Sequence, residues 1–384
     1  MARPGGRPPL WRDVRVLRVA FQLMVLAAAG GVLAYLVGNV RENSERLGIP
    51  TGFGFLDNPA QFPIPDSGFR QTQPVRDAIW HGLLNTLRVS LLGIVAATLL
   101  GIAVGVARLS GNWLVRNAAR VYVEGLRNIP LLLLIVFAYI GVALTSFPRV
   151  DRAWEPFGLA VVSNRGVVLP WYDDGGPWLL AGVVVAAVAA WGIARWRRAV
   201  NDRTGRPEHT LRWAAPAVVA ALAAGWLLSG ASVTVPELEG RIVTGGTRIS
   251  PEFFAILAAL VLYTASHIAE IVRGSIQAVP LGQSEAAEAL ALSPFQRLRF
   301  VVLPQALRTA VPPMGNQYLN LTKNSTLGAV VSYYELARVT SISVGNGAPA
   351  VPAYLLTLGL FVILSLLLSL VVNLVNRRLA LVTR

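Results

Sequence analysis

Glu285-Ala286-Ala287-Glu288-Ala289-Leu290-Ala291, followed downstream by Val301-Val302-Leu303-Pro304, is a charged, alanine-rich stretch set between two apolar ones at 253–272 and 310–331. Pro280, Gly282 and Ser284 bring turn and N-cap chemistry just before it. Glu285 and Glu288 are therefore expected at the start of a short helix, where the helix dipole favours negative charge. Ala286, Ala287, Ala289 and Ala291 give high helix propensity and a small, flat surface suited to close docking. Ser293-Pro294 is expected to end that helix. A bilayer core of about 30 Å needs roughly 20 apolar residues per helix. The flanking stretches meet that length, so the short helix belongs at a membrane surface between two spans.

Working outward, composition agrees. Hydrophobic residues are 54% of the chain, charged residues 14%, and mean hydropathy is +0.55. A soluble domain carries about 25% charged residues. The fold class read from this is an all-α integral membrane protein of about eight transmembrane helices. The apolar stretches are 16–37, 83–107, 129–147, 178–195, 211–229, 253–272, 310–331 and 353–375. The first is long for a signal-peptide core, and no small-residue cleavage site follows it. The seventh is interrupted by Pro312-Pro313 and rich in asparagine, so a break is expected there.

Arginine placement orients the spans. With the N-terminus inside, the inner segments hold Arg3, Arg7, Arg12, Arg15 and Arg18, then Arg108, Arg116, Arg120 and Arg127. They continue with Arg195, Arg197, Arg198, Arg203, Arg206 and Arg212, then Arg273, Arg297, Arg299 and Arg308, and end with Arg377, Arg378 and Arg384. That is 22 arginines inside against ten in the outer loops, which carry most of the acids, Asp57, Asp66, Asp151, Asp173, Asp174, Glu237 and Glu239 among them. Both termini and the 280–304 loop are thereby expected in the cytoplasm. The net charge of +14 reads as this inner-face excess rather than as a nucleic-acid footprint.

Several chemistries are excluded by residue supply. There is no cysteine, so disulfides and thiolate metal sites are ruled out. His81, His209 and His267 are too dispersed to argue a metal site, and no nucleophile–base set can be assigned. Lys323 is the only lysine, and it follows Thr322 in an apolar segment instead of closing a Gly-Lys-Ser/Thr loop. The chain therefore has no P-loop, and any ATP chemistry belongs to another chain.

From Glu285 to Pro304 the spacing resembles the cytoplasmic coupling loop of ABC importer permeases, whose pattern is EAA, three residues, G, nine residues, I-x-L-P. Ala291 stands where that pattern has glycine, and a tighter helix is expected there. Further segments are similar to the histidine, glutamine and arginine importers of the polar amino-acid permease family. These are His81–Leu87, Tyr122–Leu131 with its E-x-x-R-N-x-P-L pattern, Ile268–Pro280 and Asn316–Ser325. Gly48–Asp57 and the extra helical pair resemble the general L-amino-acid permease branch. The resemblance implies a five-helix core plus an N-terminal helix and an inserted hairpin. It divides the chain into 1–80, 81–177, the hairpin 178–229, and 230–384 with the coupling loop at about 280–304. It implies Glu285, Ala286, Ala287, Ala291, Leu303 and Pro304 as the contact with an ABC ATPase in two copies. A second related permease and a periplasmic amino-acid-binding protein are the other implied partners. No cofactor is expected on this chain; ATP and magnesium would sit on the ATPase. The implied location is the bacterial inner membrane.

Intramembrane polar groups usually face a cavity or another helix. Asn316, Asn320, Lys323 and Asn324 share one helical face, with Gln317 and Thr322 nearby, and this face is the candidate substrate pathway. The competing reading is that Lys323 snorkels outward while the asparagines bond between helices. Glu270 and Arg273, and likewise Glu124 and Arg127, are spaced for local ion pairs. Gly101 and Gly105 are spaced for close helix packing. The alternative function is an ion-gradient-driven secondary transporter of amino acids, in which Lys323 and Glu270 would join ion coupling. A membrane enzyme would need a His, Asp or Glu cluster at one face, and Asp173-Asp174 beside Gly175-Gly176 reads instead as a loop.

Overall fold

The computed structural model describes Trp11 and residues 13–173, 176–204 and 210–379. Of the residues named above, Arg3, Arg7, Arg12, Asp174, Gly175, Arg206, His209 and Arg384 lie outside that set. The first helix, α1 (Val14–Leu47), is capped by the Asp13 carboxylate and ends on Gly48 in the left-handed conformation (φ 64°). Its side chains are exposed along nearly the whole length, and among the described residues no other element packs extensively against it. The loop that follows folds Phe55, Phe62, Ile64 and Phe69 into a small apolar cluster against the next helix, α2 (Val75–Ala107).

After α2 the chain makes α3 (Trp113–Asn128), capped by Asn112, and then a sharp corner at Ile129-Pro130. A residue before proline is pushed to extended backbone, and Ile129 is extended, so the helix must stop there. α4 (Leu131–Val136) continues as a π-helix to Leu144, bent 106° from α3. Short strands β1 (Val161–Ser163), β2 (Gly166–Leu169) and β3 (Trp171–Asp173) precede a helical hairpin of α5 (Gly176–Thr204) and α6 (Thr210–Ser229). Strands β4 (Ser232–Thr234), β5 (Glu237–Glu239), β6 (Ile242–Thr244) and β7 (Thr247–Ile249) follow. Antiparallel pairing of β3 with β4 brings both ends of the hairpin to one place, and β2 pairs with β1 and β7. Three-residue strands carry too little periodicity to be read from sequence, and none was expected.

The rest is helical: α7 (Pro251–Gln277), α8 (Leu281–Ala289), α9 (Pro294–Arg297), a π turn at Leu298–Val302, and α10 (Leu303–Asn324). A 3-10 segment at Ser325–Val331, α11 (Leu336–Gly345) and α12 (Ala350–Leu379) complete it. The expected break at Pro312-Pro313 does not occur, because α10 runs through both prolines. Neighbouring helices satisfy the groups a membrane proline frees.

The α2–α7 pair is the axis of the core. Buried Ala78, Gly82, Thr86, Ser90, Gly93, Ala97, Gly101 and Gly105 recur about every fourth residue and form a groove down α2. Lipid tails give helices no hydrophobic reason to associate, so close approach and dispersion must supply the attraction. Ile268, Ala269 and Val272 of α7 fill its Gly101–Gly105 end, Leu321 of α10 meets Gly93, and Leu336 and Val339 of α11 meet Gly82. Among the described residues, α1, α2, α5, α6, α7 and α12 are long and apolar enough to cross a membrane, six in all, with α3–α4 a seventh if the bent pair is one span. Of the eight stretches read from sequence, 129–147 is helical only beyond the corner at Pro130. The 310–331 stretch holds most of α10, whose polar side chains keep it from qualifying alone.

Candidate functional site

The segment between α7 and α10 is a compact loop of helices projecting beyond the ends of both. α8 begins at Leu281, earlier than the turn residues predict, and Pro280 gives it no side-chain cap. Glu285 therefore sits mid-helix and Glu288 near the C-terminal end, not in the first turn. Glu288 forms an ion pair with Arg297 of α9. Ser293-Pro294 does not end α8: it starts α9 through a capping box with Gln296. α8 is closed instead by Ala291. Its amide donates to the Glu288 carbonyl (2.8 Å), and the Leu292 amide donates to that of Ala287 (3.1 Å). This is a Schellman motif, which requires a left-handed residue, and Ala291 has φ +52°. The tighter helix expected at Ala291 is thus corrected: the chain makes the turn a glycine would make.

On this loop Glu285 and Ala286 are exposed, while Ala287 is buried beneath them. Leu281, Leu290, Phe295 and Phe300 stand in the open at 80%, 75%, 67% and 62% exposure. A groove of about 600 Å³ runs among Leu281, Glu285, Glu288, Arg297, Leu298 and Val302. Apolar side chains clustered around a groove on one face mark a docking surface. Leu303 and Pro304 open α10, and the Gln305 side chain donates to that of Gln283 (3.3 Å), tying loop to helix.

Along α10, Asn316, Asn320 and Lys323 are exposed on one face, with Gln317 and Asn324 partly so. Thr322 lies buried on the other side, its hydroxyl donating to the Tyr318 carbonyl (3.0 Å). Among the described residues no carboxylate lies within ion-pair distance of Lys323, which borders a largely apolar groove against Tyr354, Thr357 and Phe361. Glu270 pairs with Arg273 as expected and, in addition, with Arg108 at the end of α2, a partner 162 residues away that spacing cannot show. The pair expected between Glu124 and Arg127 is not formed among the described residues.

A description of the binding-protein-dependent transport system inner membrane component matches residues 213–381. The putative amino-acid ABC transporter permease YhdX of Escherichia coli (strain K12) is 40% identical over 95% of this chain and 94% of its own length. The chain belongs to the amino-acid ABC transporter permeases. AapQ, the general L-amino acid transport system permease protein of Rhizobium johnstonii, is 39% identical over 97% of this permease and 94% of its own length. Among solved structures, the crystal structure of an amino acid ABC transporter with histidines aligns over 79% of the permease and 94% of that chain, with TM-score 0.48 and 20% identity. The permease is thus a multi-pass inner-membrane protein and a transporter component.

One charged group in a cavity wall escaped the reading of the sequence. Arg88 is the lone charged side chain of α2 between Asp77 and Arg108, and it opens into a cavity with Glu252. Its isolation in an apolar run was the available signal.

Proposed function

We propose that this permease forms the membrane pathway of an ATP-driven amino-acid importer and takes its energy from a separate ABC ATPase docked on the 280–304 loop. The observation that carries this reading is the loop itself, a pair of short helices with Glu285 and Ala286 exposed, a groove lined by Leu281, Glu285, Glu288, Arg297 and Leu298, and further exposed apolar side chains at Leu290, Phe295 and Phe300. ATP and magnesium would be bound by two copies of that ATPase, and no cofactor by this chain. The arginine bias supports cytoplasmic termini and a cytoplasmic loop. A second related permease and a periplasmic amino-acid-binding protein complete the assembly.

In this scheme the loaded binding protein docks on the outer face and ATP closes the ATPase pair. The loop then transmits closure to α7 and α10, between which it is held. The polar α10 face of Asn316, Asn320 and Lys323, flanked by Gln317 and Asn324, lines the route; Thr322 supports it from behind. Alternating exposure of that face moves the substrate.

Glu285→Lys places a cation at the docking surface. The variant is expected to reach the membrane folded but to hydrolyse ATP without uptake, read in proteoliposomes holding the assembled transporter. Normal uptake would overturn the coupling role. Lys323→Met is expected to lower uptake at least tenfold while ATPase activity persists. Uptake that survives ATP depletion but not a protonophore would replace the whole reading with a secondary transporter.

A further inference from the structure

At the end of the α2–α7 pair opposite the coupling loop lies a cavity of about 300 Å³. Its wall holds Arg88 of α2, Glu252 and Phe253 of the first turn of α7, Arg248 of β7, Asp66 of the loop before α2, and Tyr333. That volume is at the small end of ligand sites, the size of a single metabolite rather than a peptide.

The charges in this wall are unevenly spent. Asp66 and Arg248 face each other at 3.7 Å. Arg88 has no carboxylate within ion-pair distance among the described residues; its guanidinium carbon instead lies 4.8 Å from the centre of the Phe253 ring. Glu252 accepts a hydrogen bond from the Tyr139 hydroxyl at 3.0 Å, and among the described residues no cation lies within ion-pair distance of it. An arginine inside an apolar span is costly unless it meets a cavity or a partner. Here the cavity is present, and among the described residues no carboxylate partners Arg88, only the face of the Phe253 ring. The aromatic walls are held in place, since the Tyr333 hydroxyl donates to the Asn85 carbonyl at 3.0 Å. Two of the wall residues, Asp66 (φ 54°) and Ser332 (φ 60°), adopt the left-handed conformation without being glycine. Each costs on the order of 1–2 kcal/mol, and such strain concentrates at ligand sites.

We propose that this cavity binds the two ends of an α-amino acid, the carboxylate on Arg88 and the ammonium on Glu252, with Phe253 and Tyr333 against its carbon frame. One unpaired guanidinium and one carboxylate free of any cation, within a single small cavity, match a zwitterion. They do not match an anion alone, a sugar or a peptide. The proposal rests on the amino-acid importer reading and adds a station distinct from the α10 face, where substrate is held by its backbone groups before passage. Contact through groups common to all amino acids leaves the side chain unselected.

The test is equilibrium binding of radiolabelled L-glutamine to the assembled transporter in lipid nanodiscs, without nucleotide or binding protein. Unlabelled L-glutamine is expected to compete. N-acetyl-L-glutamine, L-glutamine methyl ester and inorganic phosphate are expected not to. Arg88→Gln and Glu252→Gln are each expected to weaken binding on the order of tenfold or more, and Arg88→Lys to lose less. Wild-type binding in Arg88→Gln and Glu252→Gln, competition by phosphate or a blocked glutamine, or no binding at millimolar glutamine would each overturn the proposal. If Arg88→Gln does not assemble, Glu252→Gln and Arg88→Lys decide it. Normal binding by both glutamine variants beside lost uptake in Lys323→Met would sink this site and leave the importer reading standing. ATP-independent uptake would sink the importer reading instead.

Discussion

Ala291 shows how much one backbone torsion carries. Its φ of +52° closes α8, and an alanine in that conformation costs about 1–2 kcal/mol relative to an unstrained one because its Cβ crowds the following carbonyl. Ala291→Gly is therefore expected to raise stability by about 1 kcal/mol, read as a higher melting temperature of the purified protein or slower amide exchange at Leu292. Ala291→Val should do the reverse, since a β-branched side chain is worse still in this region. A glycine variant no more stable than the parent would mean the strain is relieved elsewhere. The same residue makes the loop a defined turn between the exposed Leu290 and Phe295.

Between elements, the α2–α7 contact and the ion cluster at its end are the firmest joints. A Cβ at Gly105 would lie 2.8 Å from the Ala269 carbonyl oxygen and 2.9 Å from the Val272 Cβ, and one at Gly101 would lie 2.6 Å from the Ile268 Cγ2. These obstacles are backbone and β-branched carbons that cannot swing away. Gly105→Val is expected to cost about 3 kcal/mol or more and to reduce the yield of assembled protein; a melting temperature equal to the parent's would refute the packing account. At the same joint the Glu270 carboxylate bridges Arg108 and Arg273. Glu270→Gln leaves two guanidiniums facing each other, at a cost of roughly 2 kcal/mol, less than for a fully buried pair because Glu270 is 28% exposed. In Arg108→Gln with Glu270→Gln the loss is expected to be smaller than the sum of the singles, measured as a thermal-stability cycle.

Over the whole molecule, the hairpin of α5 and α6 is attached differently from the core. The two helices meet through Gly182 and Gly225, where a Cβ on Gly225 would come within 2.8 Å of the Gly182 Cα, and they pack chiefly on each other. Gly225→Leu is expected to splay the hairpin while the α2–α7 core keeps its protection, seen as hydrogen exchange confined to α5 and α6. Loss of protection along α7 in that variant would show that the hairpin supports the core. α1, exposed on all sides, is expected to be equally separable.

Composition, the apolar stretches, the Gly101 and Gly105 spacing and the coupling-loop spacing are one-dimensional signals. By themselves they determined a helical membrane protein and its importer-permease resemblance, because bilayer thickness and helical repeat act on local sequence. α3 was missed since its arginines and modest length read as a loop, although its Ala119 and Val123 are buried. The short strands were missed because pairing such as that of Val167 with Ile249, far apart in the chain, leaves no local period. Only the tertiary structure decided that Ala291 turns left-handed, that Arg108 joins Glu270, that Thr322 lies away from the exposed α10 face, and that Arg88 meets Glu252 across one cavity. Each depends on elements distant in sequence or on a torsion that neighbouring residues do not dictate, so the physics lies in contacts formed after the helices assemble.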